Sequence, residues 1–374
     1  MKVGLLVEAT YMNVSELRLG TVIAEDIFAN TQYPIIFKDT KVTYEHIHIL
    51  KAFRIHTVLI YKDDVPSTND KSNEASSIIM PPITKTNSFE MYYTEAIQQI
   101  KKEFLNWQSG AKIDITKVRG MMIPLIELVL ENRSYIFDLD SYSNPKDYLY
   151  HHSIATGLIS AIVTQKLGYE RGICIQMAIA GMLADCGMAK VSVKIREKKT
   201  KLTETEVAEI RQHPINSYLM VKNLPALKDE MKIAIFQHHE RLNGSGYPRG
   251  EKNGNITAFS QIIAVADVYH AMTSERLYSQ KKATFQVIEM IKEEEFGKFD
   301  IKVVQALIDI VADLPIGTKV ELSNKEHAEV MFINKYAPTR PLVKILSSSE
   351  FVDLATVRSI HISRVITNDK VVMF

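Results

Sequence analysis

Cysteine is almost missing from this chain: Cys174 and Cys186 are the only two in 374 residues. Both sit in an apolar stretch, so a disulfide framework is excluded as the organising device and a reducing compartment fits. An excess of charge of one sign is missing as well. The 45 Lys and Arg against 44 Asp and Glu leave a formal net charge of +1. That balance gives no reason to expect bulk nucleic acid or a membrane surface as partner, and leaves one small charged ligand open. Long hydrophobic runs are also absent. The longest, residues 173–184, carries Gln176 and falls short of the ~20 residues a membrane span needs. The first residues lack a basic region followed by an apolar core, so no signal peptide is expected and the chain reads as cytoplasmic. No internal repeat or low-complexity tract stands out. The length leaves room for two or three domains at ~150 residues each.

What is present falls into blocks. Residues 1–65 read as a small α/β module, with strands at 3–6 and 57–61 and a helix over 43–53. The polar stretch within 66–87 has the composition of a linker or mobile loop. Residues 88–132 place apolar side chains at three- and four-residue intervals, and the block 88–144 reads as a helical connector. Residues 145–312 read as all-helical. There, 148–167 is amphipathic and stopped by Gly168, and 172–183 is apolar on nearly every face, which predicts the central buried helix. Thr203 with Glu206 is a capping box that opens the next helix, and Pro214 interrupts that helix just past His213. Residues 258–273 and 300–311 supply two more helices. Within 313–374 the runs 319–322, 328–333 and 341–346 are β-like and separated by turn residues. The expected class is mainly α, with a small N-terminal α/β module and a small β-rich C-terminal domain.

The most informative run is H-H-E-R-L-N-G-S-G-Y-P at 238–248. Two adjacent imidazoles and a carboxylate stand at a helix end, read as 233–240, before a Gly-rich loop. Neighbouring helical residues point about 100° apart, so His238 and His239 cannot share one core seam. Two imidazoles are costly to bury unless each has a partner, and a divalent metal is the common one. A solvated helix terminus is the plainer reading. The wider distribution argues against it: six of the eleven histidines, His151, His152, His213, His238, His239 and His270, fall between 151 and 270. Asp185 and Asp267 lie in the same region inside apolar sequence, where a carboxylate needs a cationic partner, a cap or an Arg. Together these groups suit one or two divalent ions held by several helices, and imidazole with carboxylate fits iron, manganese or zinc alike.

These residues carry a resemblance. H-H-E-R-L-N-G-S-G-Y-P-R-G followed by A-V-A-D-V-Y-H-A-M-T-S-E-R-L-Y resembles the HD-GYP family of bacterial cyclic-dinucleotide phosphodiesterases. The likeness extends back through D-Y-L-Y-H-H-S, L-A-D-C-G and L-T-E-T-E-V-A-E-I-R-Q-H-P, in order, over 145–312. It implies an HD-type helical domain and a two-metal site. In that site His152 and Asp267 would serve the first metal, His213, His238 and His239 the second, and Asp185 would bridge them as the catalytic carboxylate. Gly246, Tyr247 and Pro248 match the loop in the family's name, a substrate-binding and protein-partner element. Arg276 matches a position that contacts ligand phosphate, which suits a guanidinium fork. His151 has no such match and reads as a surface or packing histidine.

The departures are equally specific. The family's paired His-Asp reads Ala184-Asp185, and the lysine expected shortly afterwards is Met188. An Asp expected one turn beyond Asp267 is His270, and Asn243 replaces another Asp. A methyl cannot bind metal, so the first site is eroded while the second set stays complete. His270, three residues after Asp267, is a candidate substitute ligand on the same helix face. Three readings follow: a cyclic di-GMP phosphodiesterase with weakened hydrolysis, an inactive nucleotide-binding or protein-interaction module, and a helical scaffold with an incidental metal.

Overall fold

The computed structural model of the chain describes residues 9–14, 16–28, 36–42, 46–47, 50, 55–61, 85–137, 139–142, 144–198, 200–275, 281–293 and 297–366, with only the backbone at 85–88, 140 and 141. The chain divides into two compact units, one up to Pro81 and one from Pro82 onward.

In the first unit, β1 (Ala9–Asn13) pairs antiparallel with β2 (Thr57–Tyr61). Val14, Leu17, Ile23, Ile36, Val42, Leu50, Val58 and Ile60 form its small core. The strand expected at 3–6 lies outside the described residues, and β1 follows that position instead. Of the helix expected over 43–53, only His46, Ile47 and Leu50 are described, and they are helical. The stretch 66–84 also lies outside the described residues.

The second unit is mainly helical. Two helices, α1 (Lys85–Gln108) and α2 (Ile115–Glu131), replace the single pattern read over 88–132. The break falls at Asp114, whose side chain accepts from the backbone N–H of Thr116 and Lys117 and so caps the new helix. Next come α3 (Tyr148–Lys166) and α4 (Arg171–Leu183). A short turn joins these two, so they run antiparallel and cross closely. A Cβ added at Gly157 would stand 2.5 Å from the Ala178 carbonyl, and one at Gly181 3.0 Å from Gly157 Cα. Only glycine permits that approach. It returns the end of α4 to the start of α3, bringing Asp185 beside His152. The run Arg171–Lys190 has the length and apolarity of a membrane span, but 67% of its most apolar window is buried inside the domain. That is the pattern of a core helix.

After the short α5 (Val193–Arg196), the capping box at Thr203 and Glu206 forms as expected and opens α6 (Glu204–Ile210). The helix break lies before His213, not after it: α7 (His213–Val221) begins with His213 and takes Pro214 in its first turn, where proline's missing N–H costs nothing. Then come α8 (Asp229–Gln237), α9 (Ala258–Thr273), α10 (Thr284–Glu293) and α11 (Ile301–Val311). Helix α8 ends at Gln237, so His238 and His239 leave the helix rather than continue it to Glu240. Helix α10 has no counterpart in the sequence reading.

The C-terminal part is a five-stranded antiparallel sheet in the order β6-β5-β4-β3-β7. Its strands are β3 (Lys319–Leu322), β4 (His327–Phe332), β5 (Leu342–Ile345), β6 (Phe351–Asp353) and β7 (Ile362–Val365). Val320, Leu322, Ala328, Val330, Val343 and Ile345 alternate inward, as a half-buried sheet requires. Arg340 ties this sheet to α10 by two 2.7 Å bonds to Glu289, from Nε to Oε1 and from Nη2 to Oε2. The architecture is thus mostly helical, with a two-stranded N-terminal module and a five-stranded C-terminal sheet.

Candidate metal centre

Six side chains far apart in sequence converge at the ends of the helices. His152 comes from the second turn of α3, Asp185 from the residue pair after α4, and His213 from the first position of α7. His238 and His239 follow α8, and Asp267 projects from the buried side of α9. Potential ligand atoms of Asp185, His213, His238 and His239 lie within 4.8 Å of one another, as do those of His152, Asp185 and Asp267. Asp185 belongs to both groups. Its Oδ1 is 3.0 Å from His213 Nε2 and 3.5 Å from His238 Nε2, while Oδ2 is 3.4 Å from His152 Nε2. Asp267 Oδ1 is 2.8 Å from His152 Nε2, and Oδ2 is 3.7 Å from His239 Nδ1.

The tautomers of two histidines follow from their outer partners. His213 Nδ1 lies 2.7 Å from the Ile210 carbonyl, and His238 Nδ1 lies 2.6 Å from the Ile235 carbonyl. A carbonyl only accepts, so each Nδ1 carries its proton and each neutral ring turns an Nε2 lone pair inward. Those two nitrogens are 3.2 Å apart and face the same Asp185 oxygen. Three lone-pair atoms crowded in a buried site call for a shared cation, and this donor set suits a divalent metal. The charges agree. Burial alone would raise the Asp185 carboxyl, but positive charge shared with His213 and His238, as a proton on Nε2 or a cation in its place, outweighs it and holds the group well below the usual carboxylate range. Asp267 is likewise held low against its burial, by its neighbour His239 and by the hydrogen bond with His152. Burial, reinforced by His238, drives His239 well below the usual imidazole value. Carboxylates stay ionised and His239 stays neutral, which is the state a metal ligand needs.

The loop beyond His239 is built around Glu240, to which the sequence reading assigns no role. Its carboxylate is fully buried and accepts from the backbone N–H of Arg249 at 2.7 Å and of Glu251 at 2.9 Å. The loop therefore folds back over the end of α8. At Gly246 an added Cβ would stand 2.4 Å from the His239 carbonyl and 2.5 Å from Arg241 N, so the contact requires glycine. Tyr247 then lies against His239 with ring centroids 4.6 Å apart and planes 28° off parallel, and the Tyr247–Pro248 bond is cis. Burial pushes the Tyr247 phenol up, helped by the charges of Asp267 and Asp185, so it stays a hydroxyl. Asn243 caps its own turn, its Oδ1 accepting from Ser245 N and Oγ.

His270 lies behind the His152 ring. It is buried, and its Nδ1 lies 2.9 Å from His152 Nδ1, on the far side of that ring from Asp185 and Asp267. Its Nε2 is 3.1 Å from Ser274 Oγ, and the Tyr148 hydroxyl is 3.2 Å from His152 Nδ1. His270 thus backs His152 from behind, as outer partners of metal-binding histidines do. The i,i+3 spacing correctly placed it near Asp267 on one face, but the interposed His152 ring takes the inward position. His151 is buried, its ring 5.7 Å from Tyr93, and burial pushes it down to about 4 against the charge of Asp147. It is a packing histidine. Ala184 is buried and its carbonyl accepts from Ser217 Oγ at 2.6 Å, while Met188 is half-buried against the core. Burial pushes the Cys186 thiol up to about 12, which leaves it a structural thiol rather than a nucleophile. Arg276 lies outside the described residues.

With this geometry in view, similarity to known proteins places the chain. Residues 142–303 match the family described as HD domain. The chain is 26% identical over 271 residues to a cyclic di-GMP phosphodiesterase of Pseudomonas aeruginosa, covering 72% of this chain and 65% of that protein. It is 28% identical over 208 residues to the cyclic di-GMP phosphodiesterase PdeB of Borreliella burgdorferi, covering 54% of each. A 3'3'-cGAMP-specific phosphodiesterase of Vibrio cholerae is 31% identical over 153 residues, 40% of this chain and 35% of that protein. The similarity thus spans between about one-third and two-thirds of each relative's length. The helical region thus matches the HD-domain family over residues 142–303 and is similar to these cyclic-dinucleotide phosphodiesterases.

Proposed function

We propose that this chain binds a cyclic dinucleotide, cyclic di-GMP or a close relative, at a metal-dependent phosphodiesterase site whose hydrolysis is weakened. The observation that carries the reading is Asp185, one half-buried carboxylate common to two clusters of ligand atoms. His213, His238, His239 and Asp185 would hold one divalent ion, and His152, Asp267 and Asp185 a second. Bound there, such ions supply Lewis-acid polarisation of a phosphodiester and a nucleophilic hydroxide at neutral pH.

The chain's own residues do the positioning. The carbonyls of Ile210 and Ile235 hold His213 and His238 in the tautomer that presents Nε2. His270 and Tyr148 orient His152 from the opposite side of its ring. Glu240 pins the loop that sets Tyr247 against the His239 ring at the edge of the site. Ala184 and Met188 explain the weakening. An imidazole is lost from the first ion's set, and an ammonium that would meet developing phosphate charge is lost with it, an effect worth ~3 kcal/mol at comparable sites. The same two residues favour a second reading, a module that binds the nucleotide without turnover and signals through partners that read the Gly246-Tyr247-Pro248 loop.

Purified full-length protein, reconstituted anaerobically with iron or manganese, separates these. The proposal expects bound metal, cyclic di-GMP binding and slow turnover, with the pair Ala184→His and Met188→Lys raising kcat by roughly 100-fold. Robust turnover by the unaltered chain contradicts the weakened site. Binding with no turnover, and no gain in the double variant, leaves the non-hydrolysing module.

A further inference from the structure

A cyclic dinucleotide carries two phosphates, and with one at the metal cluster the second is left for a cation outside it. Arg211 stands in that place. It is the residue that ends α6, two positions before His213, and it is exposed. Its guanidinium carbon lies 5.3 Å from the centroid of the Tyr247 ring, over the ring. Tyr247 in turn touches the cluster through His239, at 4.6 Å, and faces His213 edge-on at 6.2 Å. The guanidinium is therefore attached to the cluster through one aromatic ring.

Two further facts separate Arg211 from an ordinary surface arginine. Among the described residues no carboxylate pairs with it, whereas Arg171, Arg340 and Arg364 each meet a glutamate. The other arginine near Tyr247, Arg241, is committed: its Nη1 donates to the carbonyls of His238 and Glu240, and its guanidinium covers Phe299. Arg211 is thus held in place by the ring while its donors remain directed to solvent at the edge of the site. A guanidinium restrained on an aromatic face keeps its planar fork for a phosphate and loses less side-chain freedom when it binds. Gly187 adds a spatial link. A Cβ there would stand 2.2 Å from the His213 carbonyl, so the segment carrying Met188, which has no charge to offer, packs against the start of α7, where Arg211 arrives.

We propose that Arg211, resting on Tyr247, is the anion subsite for the second, uncleaved phosphate of a cyclic dinucleotide, and so selects a two-phosphate ligand over a single phosphate. The inference rests on the proposed nucleotide site. Arg211 lies outside the ligand clusters, so Arg211→Ala leaves their geometry intact.

The test uses the full chain loaded with manganese, with metal content, cyclic di-GMP affinity and inorganic phosphate affinity measured by calorimetry. For Arg211→Ala the expected result is unchanged metal content and phosphate affinity within twofold, with cyclic di-GMP affinity reduced roughly 10- to 100-fold, the range for a hydrogen bond to a charged group. Arg211→Lys should recover part of the loss, since it keeps the charge without the fork. Cyclic di-GMP affinity unchanged in Arg211→Ala overturns the subsite. An equal loss for phosphate and dinucleotide also overturns it, placing Arg211 on the phosphate at the metals. If the unaltered, metal-loaded chain binds no cyclic dinucleotide, the nucleotide site itself is refuted and the subsite falls with it.

Discussion

Replacing Glu240 by glutamine tests how the Gly-Tyr-Pro loop is held over the cluster. The carboxylate is fully buried, and its two oxygens accept separately from the N–H of Arg249 and of Glu251. Glutamine keeps the shape but offers one oxygen. Its amide NH2 must then face the other backbone N–H, donor against donor. One charge-assisted bond is lost outright, about 2 kcal/mol, and the survivor falls from an ionised to a neutral acceptor, about 1 kcal/mol. The sum, about 3 kcal/mol, is a large share of the roughly 5–15 kcal/mol that stabilises a domain. The loop can also open without global unfolding, so the loss is distributed between the two. Urea denaturation and amide exchange at Arg249 and Glu251 read both. The two amides should exchange roughly 100-fold faster relative to the core, or the denaturation midpoint should fall correspondingly. Unchanged protection together with stability within about 0.5 kcal/mol, the scatter of a neutral surface change, would refute the claim that Glu240 holds the loop.

Other perturbations separate the parts of the site. His270→Ala removes the group behind His152, and manganese affinity at the His152, Asp185 and Asp267 cluster should fall roughly 10- to 100-fold while the His213 cluster is spared; two unaltered binding isotherms would dismiss the positioning role. Gly246→Ala forces a Cβ to 2.4 Å from the His239 carbonyl, so the loop should shift at a cost of about 1–3 kcal/mol, read by denaturation and by lost Tyr247–His239 proximity in NMR. Arg340→Ala removes the fork on Glu289 and bonds to the carbonyls of Leu354, Arg358 and Ile360. It should destabilise the C-terminal sheet by about 2–4 kcal/mol, with Arg340→Lys recovering only part; equal unfolding curves for the three proteins would contradict this.

Legibility in the sequence followed the range of the interaction concerned. The helix at Ala258–Thr273 and the strand at Lys319–Leu322 were readable to the residue because periodicity and caps act within a few positions. The capping box at Thr203 and Glu206 was readable for the same reason. The break between α1 and α2 was missed because apolar spacing continues across it, and the only local signs are Gly110, which takes a φ of 96°, and the Asp114 cap. Strands β6 and β7 were missed as well. They are three and four residues long, and pairing with β5 and β3 is what defines them.

At the site, the sequence by itself determined which chemistry is present: imidazoles and carboxylates suited to a divalent ion, a glycine loop that can touch backbone, and apolar side chains at Ala184 and Met188. The tertiary structure decided how these groups face one another. The closeness of Gly157 to α4 brings Asp185 to His152, and the Ile210 and Ile235 carbonyls choose which nitrogen His213 and His238 present. It also set His270 against the Nδ1 side of His152, and Arg211 on Tyr247 unpaired by any described carboxylate. Those outcomes depend on packing between segments up to 118 residues apart, as with His152 and His270. Local sequence constrains such distances only through the fold as a whole.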